Sequence, residues 1–201
     1  MGASTSAFRS SARPVAIDAG ALAHLRYIRE TIEAAGTFTS VPGFGCIAMG
    51  AVALVAAALE WRFGFARLAV WLAAAPIAAV LALAFMLRKA RREGFVLTRA
   101  VARRFFTALA PALAAGAVLT AALVRAGDLA LVPGTWLLLY GAGLAAGGLF
   151  SLACVSAAGV AFMMLGAAAL VWPAAATAFL AAGFGAVHVA LGLTILRRHG
   201  G

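Results

Sequence analysis

From Leu129 to Leu196 the chain runs 68 residues without one Asp, Glu, Lys or Arg. A water-facing surface cannot be built from such a stretch. Soluble domains carry about 25% charged residues, whereas this chain carries 11% and is 65% hydrophobic. The solvent of its surface is therefore lipid. Backbone in hydrocarbon must satisfy its own hydrogen bonds, which leaves helices or closed barrels. The apolar runs here are long and continuous, where barrel strands would be short and alternating. The expected fold is all-α, a polytopic transmembrane helical bundle.

Charged residues punctuate the runs. A crossing helix needs about 20 apolar residues, and the sequence offers a first span near Val41 to Leu59, a second from Leu68 to Leu87 and a third from Phe105 to Val124. The uncharged block that follows is too long for two spans and fits three with tight turns. Pro133-Gly134 opens it. Trp172-Pro173 supplies one internal break, because proline lacks the donor that continues a helix and tryptophan prefers the interface. The other break is expected between Cys154 and Gly159, where no charge marks it. That segment reads either as two full spans or as a re-entrant pair. The expectation is six spans over 41–201.

Placing the amino terminus inside puts thirteen of the sixteen Lys and Arg in the cytoplasm, leaving only Arg62, Arg67 and Arg125 outside, as the positive-inside bias requires. The same arrangement brings Trp61, Trp71, Trp136 and Trp172 to one interface, as an aromatic belt. The expected location is thus the bacterial cytoplasmic (inner) membrane, multi-pass, with both termini cytoplasmic. The net charge of +10 reads as this topology signal rather than as a nucleic-acid surface. Arg88, Lys89, Arg91, Arg92, Arg99, Arg103 and Arg104 form a basic cluster with only Glu93 to offset it. Arg88, Lys89, Arg91, Arg92, Arg103 and Arg104 are expected to contact anionic lipid.

Before the first span, residues 1–16 read as a disordered tail without a secretory signal. MGASTS fits a myristoylation pattern, but the composition is that of a high-GC bacterial product, where the modification is not expected. Across 17–40, Leu22, Leu25, Ile28 and Ile32 recur at helical steps among Arg26, Arg29, Glu30 and Glu33, which predicts a cytoplasmic amphipathic helix capped by Asp18 and ended by Gly36. It would lie on the inner leaflet or dock a cytoplasmic protein.

Little in the spans carries chemistry. His188 is the one titratable side chain of the usual catalytic kinds deep in a span, hence a ligand or proton site or a neutral packing residue bonded to a neighbouring helix. Cys46 and Met49, one turn apart, could present two soft ligands to Cu(I), but Cys46 and Cys154 read first as packing residues, so no metal, cofactor or catalytic residue is expected. Gly143 and Gly147 stand in GxxxG register, and Gly183 and Gly185 flank Phe184; all four read as sites of close helix approach. GFG triplets in the first and sixth spans hint at an inverted three-plus-three repeat.

The segments LRYIRETIEAAGTFTSVPGFG, PGTWLLLYGAG and AAGFGAVHVALGLTILRRHGG resemble those of a family of small uncharacterised bacterial multi-span integral membrane proteins, a resemblance that covers nearly the whole chain from Leu25. It implies a multi-span bacterial membrane protein of about this length and brings no activity or site residue with it. Taken together, the expectation is a non-enzymatic accessory, sensory or regulatory membrane component. Its partners would be the lipid bilayer and a homo-oligomer or a membrane or cytoplasmic protein. The alternative is a small-solute or proton-coupled transporter with a midplane site near His188. An intramembrane enzyme would need several of His188, Tyr140, Ser151 and Ser156 around one pocket.

Overall fold

The computed structural model describes residues 41–63, 66–92 and 100–199, with a few helical residues between 20 and 28. The chain divides into two units, Met1–Ala35 and Gly36–Gly201. In the first, His24 to Ile28 are helical, within the expected amphipathic helix. The tail 1–16 and most of the remainder of that helix lie outside the described residues.

The second unit is a bundle. Among the described residues, six helical segments are long and apolar enough to cross a membrane. They are α1 (Gly43–Phe63), α2 (Arg67–Arg92), α3 (Ala100–Ala126), α4 (Val132–Gly148), α5 (Ala153–Val171) and a composite sixth span from Pro173 to Arg198. A 3₁₀ turn at Leu129–Leu131 extends α4 at its start. The sixth span strings together a 3₁₀ turn (Pro173–Ala175), α6 (Ala176–Leu180), a π-helical stretch (Ala181–Val187) and α7 (His188–His199).

The turn between α3 and the 3₁₀ segment falls at Gly127, whose φ of 83° is reached by glycine without Cβ strain. The α4–α5 break lies at Leu149–Leu152, ahead of the expected Cys154–Gly159. Phe150 and Ser151 donate to the carbonyls of Gly147 and Gly148, both at 3.0 Å, so i→i+3 bonds tighten the last turn behind two weak helix formers. Leu152 is then extended, with ψ at 136°. Cys154 and Gly159 sit inside α5 instead. This is the two-span reading of the segment, not the re-entrant one.

Four spans form the packed centre. α4 and α5 run antiparallel with Gly134 against Gly166 and Gly141 against Gly159, while Gly148, the third of the seven-residue row on α4, lies against Ser156. A Cβ on Gly141 would fall 2.6 Å from the Gly159 carbonyl oxygen. α1 crosses the sixth span in the same way, with Gly43 and Gly50 against Gly185 and Gly192; a Cβ on Gly50 would lie 2.8 Å from the Gly185 oxygen. Seven residues are close to two helical turns, so each glycine row stays on one seam and lets the backbones meet. Gly43 lies against Leu196, so the bundle begins and ends at the same face. Between the pairs, Leu137, Phe162, Leu180 and Ile195 are fully buried.

α2 and α3 are attached from outside. α2 packs on α1 and α3 on α4, and the two make at most a glancing contact with each other. Their outer faces are open and apolar: Val80 is 65% exposed and Val118 69%. In a bilayer these faces meet acyl chains.

Candidate ligand site between the spans

His188 opens α7 directly after the π-helical stretch. A π turn carries an extra residue, which shifts the carbonyls out of α register. The Phe184 carbonyl inside it accepts a hydrogen bond from His188 Nδ1 at 3.0 Å, and Nε2 lies 2.9 Å from the Tyr140 hydroxyl. A carbonyl can only accept, so Nδ1 carries the proton. In the neutral imidazole Nε2 is then an acceptor, and Tyr140 donates to it. The ring sits 5.1 Å from Phe162 and 6.1 Å from Phe184, nearly parallel to the latter, and is only 2% exposed. Among the described residues no carboxylate faces it there, and an unpaired charge among phenyl rings would be costly.

Gly183 makes room for this cluster, and Gly185 for the approach of α1. A Cβ on Gly183 would strike Leu137 and press on Phe162, and one on Gly185 would strike Leu54. Gly143 and Gly147 do other work, admitting Leu109 and Phe105 of α3 against α4. The close approaches expected of these four glycines are contacts within one chain.

In front of Tyr140 and His188 lies a cavity of about 670 Å³, walled by α1, α2, α3, α4 and the sixth span. It occupies the space that α2 and α3 leave by not packing together. Its wall is almost wholly apolar, supplied by Ala74, Ala75, Ala78 and Ala79 of α2, and by Ala112, Gly116, Ala117 and Ala121 of α3. Five lining side chains carry N–H or O–H groups, namely Trp71, Thr120, Trp136, Tyr140 and His188. Trp136 Nε1 donates to Thr120 Oγ1 at 2.6 Å, and Thr120 donates in turn to the Gly116 carbonyl. The cavity runs from mid-span, at His188 and Tyr140, toward the bundle end that carries Trp71 and Trp136.

At that end a polar cluster joins three spans. Glu60 of α1 accepts from Thr177 Oγ1 of α6 and from Arg67 Nε of α2, each at 2.6 Å, and from Trp71 Nε1 at 3.0 Å. Its side chain is 9% exposed and that of Arg67 36%. From the sequence these two residues serve only as punctuation between spans. A carboxylate and a cation seven residues apart between two apolar runs were the available signal.

The tryptophans divide. Trp61 and Trp172 are 67% and 62% exposed, as belt residues should be, whereas Trp71 is buried and Trp136 half-buried, both turned inward onto hydrogen-bond partners. Ser156 donates to the Ala145 carbonyl across the α4–α5 seam, and neither it nor Ser151 lines the cavity. Cys46 is buried and Cys154 half-buried, both as free thiols. Met49 lines the cavity without Cys46. Among the described residues no three His, Cys, Asp or Glu converge.

At the opposite end, Arg88, Lys89 and Arg92 line a smaller pocket of about 280 Å³ with Phe44 and Phe85. Arg88, Arg91, Arg92, Arg103 and Arg104 are exposed, but Lys89 is buried at 8%, in the wall of that pocket with Gly43 and Phe44 of α1. Compared with known proteins, the chain matches no family model, no curated protein and no solved structure. The site must be read from its own geometry.

Proposed function

We propose that this protein is a non-enzymatic accessory or sensory component of the bacterial cytoplasmic membrane that takes an apolar molecule from the bilayer into the cleft between α2 and α3. The observation that carries the reading is the cavity of about 670 Å³. Small-molecule sites span about 300–1,000 Å³ and are mostly apolar with a few placed polar groups. A cavity that opens toward lipid draws its occupant from lipid. Both ring nitrogens of His188 are committed, and among the described residues the site brings no carboxylate to it, so the pair positions rather than reacts. Transport of a polar solute would need a hydrophilic route, and the alanine-rich wall favours binding over it. Both chain termini lie in the cytoplasm on this reading, at the bundle end where the basic cluster around Arg88 meets anionic headgroups.

Tryptophan quenching tests the proposal. With Trp61→Phe and Trp172→Phe in place, the remaining Trp71 and Trp136 both line the cavity. In nanodiscs, 1-bromododecane should quench them saturably. A Cβ on Gly116 meets only Leu139, at 3.8 Å, so Gly116→Leu can extend into the cavity without displacing backbone, and it should abolish the saturable phase. Quenching that is linear in probe and equal in the two proteins would refute the binding reading.

A further inference from the structure

Every side-chain N–H or O–H in the cavity wall is already spent. Trp71 donates to Glu60, Trp136 to Thr120, Thr120 to the Gly116 carbonyl, Tyr140 to His188 and His188 to the Phe184 carbonyl. Backbone N–H groups inside helices are likewise committed to the ladder. What remains is acceptor capacity. The Tyr140 oxygen, having given its only proton to Nε2, keeps its lone pairs, and Thr120 Oγ1 keeps one. Pro76, also in the wall, offers no N–H to the Leu72 carbonyl one turn back. The cavity therefore presents acceptors without donors at mid-depth in the membrane.

From this inventory we infer that the cavity selects an apolar molecule bearing a single hydroxyl group, such as an isoprenoid alcohol, over equally apolar molecules whose polar group only accepts. The hydroxyl donates to Tyr140 while the tail lies along the alanines of α2 and α3. A carbonyl or ether oxygen in the same place finds no partner, and a buried polar group left unpaired is the costly case. His188 acts here as a positioning residue. By accepting the Tyr140 proton it fixes the phenol as an acceptor, and so sets which headgroup fits. An ordinary acyl chain, carrying neither group at that depth, would fill the cavity without preference.

The inference rests on the binding reading, and one experiment separates their failures. Farnesol, farnesyl methyl ether and farnesal are compared as competitors of 1-bromododecane quenching in the Trp61→Phe/Trp172→Phe protein in nanodiscs. Farnesol should compete about fivefold more strongly than either of the others, within the range of one net hydrogen bond. Tyr140→Phe should collapse that preference. His188→Leu, which releases the Tyr140 proton to the cavity, should shift the order toward farnesal. Equal competition by all three, or preference for farnesal in the unsubstituted site, overturns the inference while leaving the binding reading standing. Absence of any saturable quenching overturns both. The order among the three competitors decides the matter even where a substituted protein does not fold.

Discussion

The α4–α5 seam and the α2–α3 cleft are both built from small residues, yet one is the tightest contact in the bundle and the other is open space. In the seam, Gly141 faces the Gly159 carbonyl, and Gly134 and Gly166 repeat the arrangement two turns away. In the cleft, Ala75, Ala79, Ala112 and Ala117 line a cavity of about 670 Å³. Small residues close an interface only when the opposite helix brings its own small residues into register. Without that, their missing volume becomes a cavity. Lipid provides no hydrophobic drive to shut it, because acyl chains are as apolar as the wall.

The sharpest way to break the comparison is to place the same side chain in both regions. Gly141→Leu drives its Cβ into the α5 backbone and should destabilise the bundle by about 3 kcal/mol or more, at the upper end of overpacking effects. Gly116→Leu should leave the melting temperature of the detergent-solubilised protein unchanged or raised. Equal losses in both would mean that the cleft is packed as tightly as the seam.

Glu60→Ala should have the next largest effect. It strands the hydrogen bonds of Thr177, Trp71 and Arg67, and about 2 kcal/mol is expected for unpaired groups of this kind, reduced by the part of Arg67 that already meets solvent. Loosening should appear where α2 joins α1, as faster hydrogen exchange in residues 67–71. A uniform change across all spans would show that the cluster does not hold α2 in particular. Smaller still is Thr120→Val, which removes the acceptor of Trp136 Nε1. Its expected cost is about 0.6 kcal/mol, the average of interhelical hydrogen bonds in a membrane, together with a blue shift in Trp136 emission, while the α4–α5 seam stays intact. At the opposite end, Arg88→Ala with Arg92→Ala should weaken enrichment of anionic lipid around the purified protein by about 1 kcal/mol per residue, read as the fraction of phosphatidylglycerol that co-purifies.

The architecture was largely legible because charge and length decide it. Leu129 to Leu196 is too long for two spans and fits three, with only the choice between full spans and a re-entrant pair left to the fold, and Trp172-Pro173 marked a true break. The α4–α5 turn was displaced because its signal, Gly147-Gly148 followed by Ser151, resembles the packing glycines around it. Reading GxxxG found Gly143 and Gly147 but not the seven-residue rows, since a spacing of two turns gains meaning only from the helix opposite. His188 was visible as an intramembrane titratable group. Its partner was not, because Tyr140 lies 48 residues away and only the fold brings them together. The cavity had no signature in the sequence. An alanine that packs and an alanine that lines a void are written alike.

Native mass spectrometry of the protein extracted gently from its own membranes shows whether the α2–α3 cleft holds a ligand. The account predicts that the wild type retains one bound apolar molecule and that Gly116→Leu, equally well folded, does not. Identical spectra for the two proteins, with no retained molecule or the same one in both, would contradict it.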